Sequence, residues 1–236
     1  MRKSIIIGFS GKKQSGKDTV CEGFKKWYYD NYFALKSSLG VYSFADVLKK
    51  QVCINIMGLS KEQCYGTDEE KNSLTKFKWE NLPDDIRYFD KTEVEKIRVI
   101  GETDEYENFS NLRKGFMTAR EVMQVVGTDI FRNYFDSGIW VDATLRNIFQ
   151  DKKNITLISD VRFPSEVNAI IKNGGYIVRL TRNICEQDNH PSETALDDYN
   201  FVNLERTYIV DNERIGIDKQ NQIVIDLIKN IILENK

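Results

Sequence analysis

The sequence predicts an α/β fold in three layers, a central parallel sheet with helices packed on both faces. Three observations predict it. Short, continuous apolar runs at Ile5-Ile-Ile-Gly-Phe9 and Ile155-Thr-Leu-Ile158 have the length and β-branched content of strands buried on both faces. Segments of helical period alternate with such runs along most of the chain, as parallel βα units require. At 236 residues, with 41% hydrophobic and 11% aromatic side chains, the chain can build one large core and is too apolar for wholesale disorder.

Ile5–Phe9 is the first strand. It runs directly into a turn between Gly11 and Gly16 and then into a helix with Val20, Phe24 and Trp27/Tyr28 at helical spacing. A second strand is expected over Val41–Phe44. Asp46 offers a cap to the next helix, which carries Leu48, Val52 and Ile56 and is stopped by Gly58. Residues from about 60 to 115 are charged, hold few long apolar runs and are punctuated by Pro83, Gly101 and Gly115. They are expected to form an insertion of short helices and loops within a single domain spanning 1–236. Thr118 is an N-cap for a helix over 120–126, where Gly127 either ends the helix or allows a close backbone approach. A helix over Ile139–Phe149 follows. Next come a strand over Ile155–Asp160, a helix over Glu166–Lys172 and strands over Tyr176–Leu180 and Thr207–Val210. A helix over Ile223–Leu233 closes the chain. A lid is expected at about 182–200, and the sequence has no internal repeat.

Composition excludes several function classes. The 34 basic and 36 acidic side chains leave a formal charge of −2, and the pI is near 5.7. A broad duplex nucleic-acid surface would carry a basic excess instead. The four cysteines are spread without a CxxC, which points to free thiols in a reducing compartment. A single histidine, His190, leaves histidine-pair zinc sites and most Ser-His or Cys-His triads without a partner. The basic-then-apolar amino terminus is cut short by Ser10, Lys12 and Lys13, and no apolar run is long enough to span a bilayer. The expectation is a soluble, cytoplasmic protein with neither membrane nor nucleic acid as partner.

The turn after the first strand carries the chemistry. Gly11-Lys-Lys-Gln-Ser-Gly16-Lys17 is the Walker A pattern up to its last position, placed between a buried strand and a helix. Glycines are needed because backbone amides must turn inward and approach phosphate oxygens with no side chain between. Gly11, Lys13, Gln14, Ser15 and Gly16 would line the phosphates, the helix dipole would add positive potential, and Lys17 would reach the β- and γ-phosphates. The fold class is therefore a three-layer P-loop NTPase fold with a helical insertion and lid. Asp18 stands where Ser or Thr ordinarily ligates magnesium, and Thr19 comes one residue later. Adjacent helical residues point about 100° apart, so Thr19 does not inherit that role and faces the α-phosphate instead. Asp18 either holds Mg²⁺, directly or through water, or caps the helix.

Asp160 ends the clearest buried strand, at the sheet edge where α/β proteins bind ligands. It is a candidate second Mg²⁺ carboxylate. Arg162 has the planar fork that suits a phosphate, and Glu166 is placed to hold it. The alternative is a surface ion pair between Arg162 and Glu166, with Asp160 capping a helix.

Five segments in order resemble the bacteriophage deoxynucleoside monophosphate kinases: Gly11–Thr19 (GKKQSGKDT), Phe44–Lys49 (FADVLK), Thr118–Phe131 (TAREVMQVVGTDIF), Trp140 and Asp160–Glu166 (DVRFPSE). They span most of the chain, reaching about residue 195 if His190-Pro-Ser-Glu193 is included. The resemblance implies a kinase that moves the ATP γ-phosphoryl group, with Mg²⁺, onto a deoxynucleoside 5′-monophosphate. It also suggests a homodimer, and the host cytoplasm as the setting if the protein is phage-encoded. Carried over by position, Lys17, Asp18 and Thr19 serve ATP and Mg²⁺, and Arg120 and Arg162 bind the acceptor phosphate. Gln124, Gly127, Thr128 and Trp140 form the nucleoside pocket, which Asp160 and Glu166 orient, and Lys49 is an acceptor-side candidate. Gln14 departs from the arginine common in the family's loop. Arg179 and Arg182 are either lid arginines on the donor phosphates or ordinary solvated charge, and Trp140 either stacks on a base or fills the core. Two other readings stay open: a P-loop kinase of another small phosphorylated acceptor, as in phosphomevalonate kinases, and a nucleotide switch with no acceptor.

Overall fold

The computed structural model describes residues 4–32, 38–87, 112–183 and 194–235 of the chain. The chain forms two compact units, one of residues 1–47 with 137–236 and the other of residues 48–136. His190, Cys185 and most of the expected lid lie outside the described residues.

The first unit is a five-stranded parallel sheet in the order β2-β5-β1-β6-β7. Its strands are β1 (Ile5–Ser10), β2 (Leu39–Tyr42), β5 (Ile155–Val161), β6 (Tyr176–Leu180) and β7 (Thr207–Val210). The central strand β1 pairs with β5 from Ile5↔Ile155 and with β6 from Ile7↔Tyr176 to Ser10↔Arg179. Alternation along it feeds two cores. Ile7 and Phe9 pack with Phe24 of α1 (Lys17–Asn31) and Val224 and Ile228 of α9 (Ile217–Glu234). Ile6 packs on the other face with Val141, Leu145 and Ile148 of α7 (Ile139–Asp151) and Val167 and Ile170 of α8 (Pro164–Lys172). Two buried faces explain why these strands read as continuous apolar runs. Every loop leaving a strand's carboxyl end therefore opens on one edge of the sheet, which is where the chemistry-bearing residues collect.

Three expectations are corrected. The second strand ends at Tyr42, and Phe44 begins α2 (Phe44–Val47), because the carboxylate of Asp160 takes up that helix's first amides. Asp46 consequently sits inside the first turn rather than capping it. The last helix begins at Ile217, following Gly216, with Asp218 in its first turn.

In the second unit the chain continues as a π-helical segment, Leu48–Ile56, then α3 (Lys61–Tyr65) and α4 (Asp68–Lys71). Both short helices start on capping boxes, Ser60 with Gln63 and Thr67 with Glu70, which satisfy amides that such brief helices otherwise leave bare. The stretch read as helices and loops also contains an antiparallel pair, β3 (Leu74–Lys78) with β4 (Phe116–Thr118). Neither strand has a continuous apolar run, since one side of β3 is exposed. Thr118 caps α6 (Ala119–Gln124), as the sequence predicts, and the structure completes the cap as a box with Glu121. The helix does not stop at Gly127; it continues in π-helical form as Val125–Phe135. Gly127 is buried there because a Cβ would lie 2.5 Å from Leu48, so its role is close approach rather than termination.

Candidate functional site

Between β1 and α1 the chain makes a compact loop. Ser15 N donates to Lys12 O at 3.1 Å, and Gly16 adopts φ 102°, a conformation that disfavours any side chain. Gln14 also lies in the left-handed region, at φ 60°, a strain tolerated where the surrounding loop enforces it. The amides after Gly16 begin a fifteen-residue helix and point at the loop's interior, an arrangement suited to anions. Ser15 is buried, and its Oγ has no hydrogen-bond partner among the described residues.

Lys17 folds back under this loop, only 7% exposed, and its Nζ donates to Gly11 O and Lys12 O at 2.7 Å each. Burial pulls its pKa down to about 8; Arg162 and Arg179 add to the fall, and Asp18 and Asp160 oppose it. Five charged groups, from the start of α1, from β5 and the residue after it, and from β6, thus share one electrostatic neighbourhood. Asp18 is exposed on the first turn of α1, and Thr19 beside it is half-buried.

Arg179 lies opposite Ser10 in the β1–β6 register; its Nη1 donates to Ser10 Oγ at 2.8 Å, and its guanidinium sits 5.0 Å from the Phe201 ring centre. Burial lowers its pKa, and Asp197 counteracts that. Lys12, on the loop, is ion-paired with the same Asp197. Arg182 has a different occupation. Its Nη2 donates to Asn212 O at 2.8 Å and to Ile215 O at 2.7 Å, so it holds the β7–α9 loop.

Asp160 is engaged on both oxygens. Oδ1 accepts from Phe44 N at 2.7 Å; Oδ2 accepts from Ser43 Oγ at 2.6 Å and Ala45 N at 3.0 Å. This capping is the alternative the sequence left open, applied to α2. Removing three such charge-assisted bonds exposes the start of the helix, so Asp160→Ala is expected to cost about 3 kcal/mol. In a chain of this size the loss appears as a fall of about 10 °C in Tm, measured by circular dichroism. Glu166 is buried; its Oε2 accepts from Arg162 N at 2.6 Å and Phe163 N at 3.1 Å. It fixes Arg162 through the backbone at the point where α8 begins.

A magnesium ion held chiefly by phosphate oxygens and water needs only one or two carboxylates from the protein. Asp18 is exposed at the loop. Asp160 uses three of a carboxylate's roughly four acceptor sites and keeps one. The donor set is all oxygen and anionic, and so fits that ion. Among the described residues no three His, Cys, Asp or Glu side chains gather into a closed cage.

The remaining candidates lie elsewhere. Trp140 is buried on α7. In the second unit Arg120 donates through Nε to Asn72 Oδ1 at 2.9 Å and through Nη2 to Asp68 Oδ1 at 2.5 Å. Gln124 ends α6, and Gly127 and Thr128 follow in the π-helical segment. Lys49 Nζ lies 4.8 Å from the centre of the Tyr65 ring.

Sequence reasoning missed Ser10, Ser43, Asn212 and Gln220. Gln220 does leave a trace: it shares a helical stripe with Val224, Ile228 and Ile231, a polar residue on an apolar face. No helix among the described residues is long and apolar enough to cross a membrane.

Comparison with known proteins gives consistent results. The family model described as deoxynucleotide monophosphate kinase matches residues 5–215. A putative deoxynucleotide monophosphate kinase of Acanthamoeba polyphaga mimivirus is 31% identical over 206 residues, 81% of this chain and 82% of that protein. The deoxynucleoside-5'-monophosphate kinase of Escherichia phage T5 is 24% identical over 223 residues, 82% of this chain and 85% of that protein.

Proposed function

Because this chain belongs to the deoxynucleotide monophosphate kinase family, we propose that it transfers the γ-phosphoryl group of ATP in line to a deoxynucleoside 5′-monophosphate, giving a dNDP and ADP. The observation that carries the reading is the cationic cluster at the sheet's carboxyl edge. There Lys17 is folded beneath the loop and shares its surroundings with Arg162 and Arg179.

The acceptor's phosphate has a second pKa of roughly 6, so at neutral pH it is largely a dianion and needs no general base. Transfer then calls for alignment and for positive charge around the moving phosphoryl oxygens. The loop amides from Gly11 to Gly16 and Thr19 hold the donor chain. Lys17 exchanges its loop carbonyls for the β- and γ-phosphates. Arg162, its backbone pinned by Glu166, takes the acceptor phosphate. Arg179 lies beside the donor and adds positive charge there. Asp18 and Asp160 are the carboxylates that would hold Mg²⁺, which neutralises phosphate charge when bound. In the second unit Arg120, Gln124, Gly127, Thr128 and Lys49 are assigned to acceptor recognition.

A coupled assay offering ATP with each of the four dNMPs separately, and with mevalonate 5-phosphate, tests this reading. Formation of a dNDP from at least one dNMP is expected. Turnover of mevalonate 5-phosphate with none of any dNMP overturns it, as does ATP hydrolysis that no dNMP alters.

A further inference from the structure

Behind the phosphate loop lies a polar cluster that no step above uses. Asn212 and Gln220 are both fully buried. The Nδ2 of Asn212 donates twice, to the backbone carbonyl of Ser15 at 2.7 Å and to Gln220 Oε1 at 2.6 Å. Its Oδ1 accepts from Arg182 N at 2.8 Å, while the guanidinium of Arg182 closes on Asn212 O and Ile215 O. One side chain therefore ties the loop, the end of β6 and the start of α9 together.

Gln220 backs the most constrained point of the loop. A Cβ on Gly16 would lie 2.7 Å from its Nε2 and 2.9 Å from its Oε1, so the amide fills the space against the left-handed turn. Its Nε2 has no hydrogen-bond partner among the described residues. A buried amide group with no partner costs stability. The core gains nothing from this nitrogen that a thioether of similar volume would not supply. What the amide supplies is Oε1, which fixes the rotamer of Asn212 and so the direction of the Ser15 carbonyl. That carbonyl belongs to the peptide whose N–H is Gly16's, one of the amides facing the anion site.

We infer that Asn212 and Gln220 are positioning residues for the donor phosphates, acting through the Ser15–Gly16 peptide to keep the loop in its anion-binding shape. The inference rests on the reading of this loop as the ATP site. It gives the β7–α9 region a share in nucleotide affinity without contact to the nucleotide.

Gln220→Met keeps the side-chain volume; it removes the unpartnered nitrogen but leaves one N–H of Asn212 without its acceptor, so the two effects offset and the variant folds with a Tm within about 5 °C of the parent. Its affinity for ATP and for inorganic tripolyphosphate, measured by isothermal titration on the full chain, is expected to fall about tenfold. The KM for ATP rises with it, and the KM for the accepted dNMP stays within about twofold. Asn212→Ala, which also releases the Ser15 carbonyl directly, gives a larger loss with the same split. A Gln220→Met protein that binds ATP and tripolyphosphate as the parent does overturns the inference alone. So does one that loses ATP and dNMP affinity equally. A parent protein that binds neither ATP nor tripolyphosphate overturns the donor-site reading, and this inference with it.

Discussion

Replacing Lys17 by methionine is expected to lower kcat about 10³-fold and at the same time to raise the melting temperature by several degrees. The first effect follows from the role proposed for Lys17 at the β- and γ-phosphates; single preorganised charges of this kind are worth about 10²–10³ or more in rate. The second follows from where the ammonium is kept. Its pKa falls from 10.5 to about 8, chiefly through burial. That corresponds to about 3 kcal/mol charged against the folded state at neutral pH. Methionine relieves this cost, less what Gly11 O and Lys12 O lose in donors. Steady-state kinetics and a calorimetric scan on the same variant read both. A variant that is inactive and also less stable would mean that Lys17 holds the fold rather than serves the reaction.

The same group sets a pH dependence with a definite sign. Below about 8 the folded chain keeps Lys17 charged and bears the full burial cost. Between about 8 and 10.5 the unfolded chain binds more protons than the folded one, so this group's contribution to stability rises with pH. In the proposed role ATP takes the charged form through its phosphates. Its affinity is expected to be level below pH 8 and to weaken about tenfold for each pH unit above it, with proton uptake on binding. In Lys17→Met the break disappears. An affinity for ATP that is flat from pH 7 to 10 in the parent would place Lys17 away from the phosphates.

Arg162→Ala is expected to reduce kcat/KM for the dNMP by about 10²–10³-fold while the affinity for ATP at pH 7 changes less than about threefold. Loss of a bidentate phosphate partner accounts for a loss of that size. A second readout comes from the structure. After burial, the Arg162 guanidinium is the next contributor to the depressed pKa of Lys17. Its removal therefore moves the pH break in ATP binding upward from about 8, toward the ordinary lysine value. An arginine with only a structural role would displace the break without the split between substrates, so the split is what identifies the acceptor role. Equal weakening of ATP and dNMP would show that Arg162 supports the loop instead.

Much of the first unit was legible because its signals are local. Ile5–Ser10 and Ile155–Val161 are buried on both faces and read as apolar runs. The glycine spacing around Lys17 declares the loop, and in the second unit Thr118 alone declares a helix start in the same local way. The second unit was harder. Its strands are short and half exposed, and Gly127 has the look of a helix stop until Leu48 is seen against it.

Residue chemistry and spacing along the chain were enough to determine a parallel α/β sheet, a glycine-bracketed turn with its lysine between the first strand and helix, and the carboxylate and arginine at the end of the fifth strand. Partners distant in sequence were decided only by the folded chain. Asp160 caps a helix more than a hundred residues before it, Asn212 grips Ser15, and Lys17 has a pKa near 8. The physical reason is that burial and hydrogen-bond geometry belong to the surroundings of a side chain, and a sequence names its residues without stating what surrounds them.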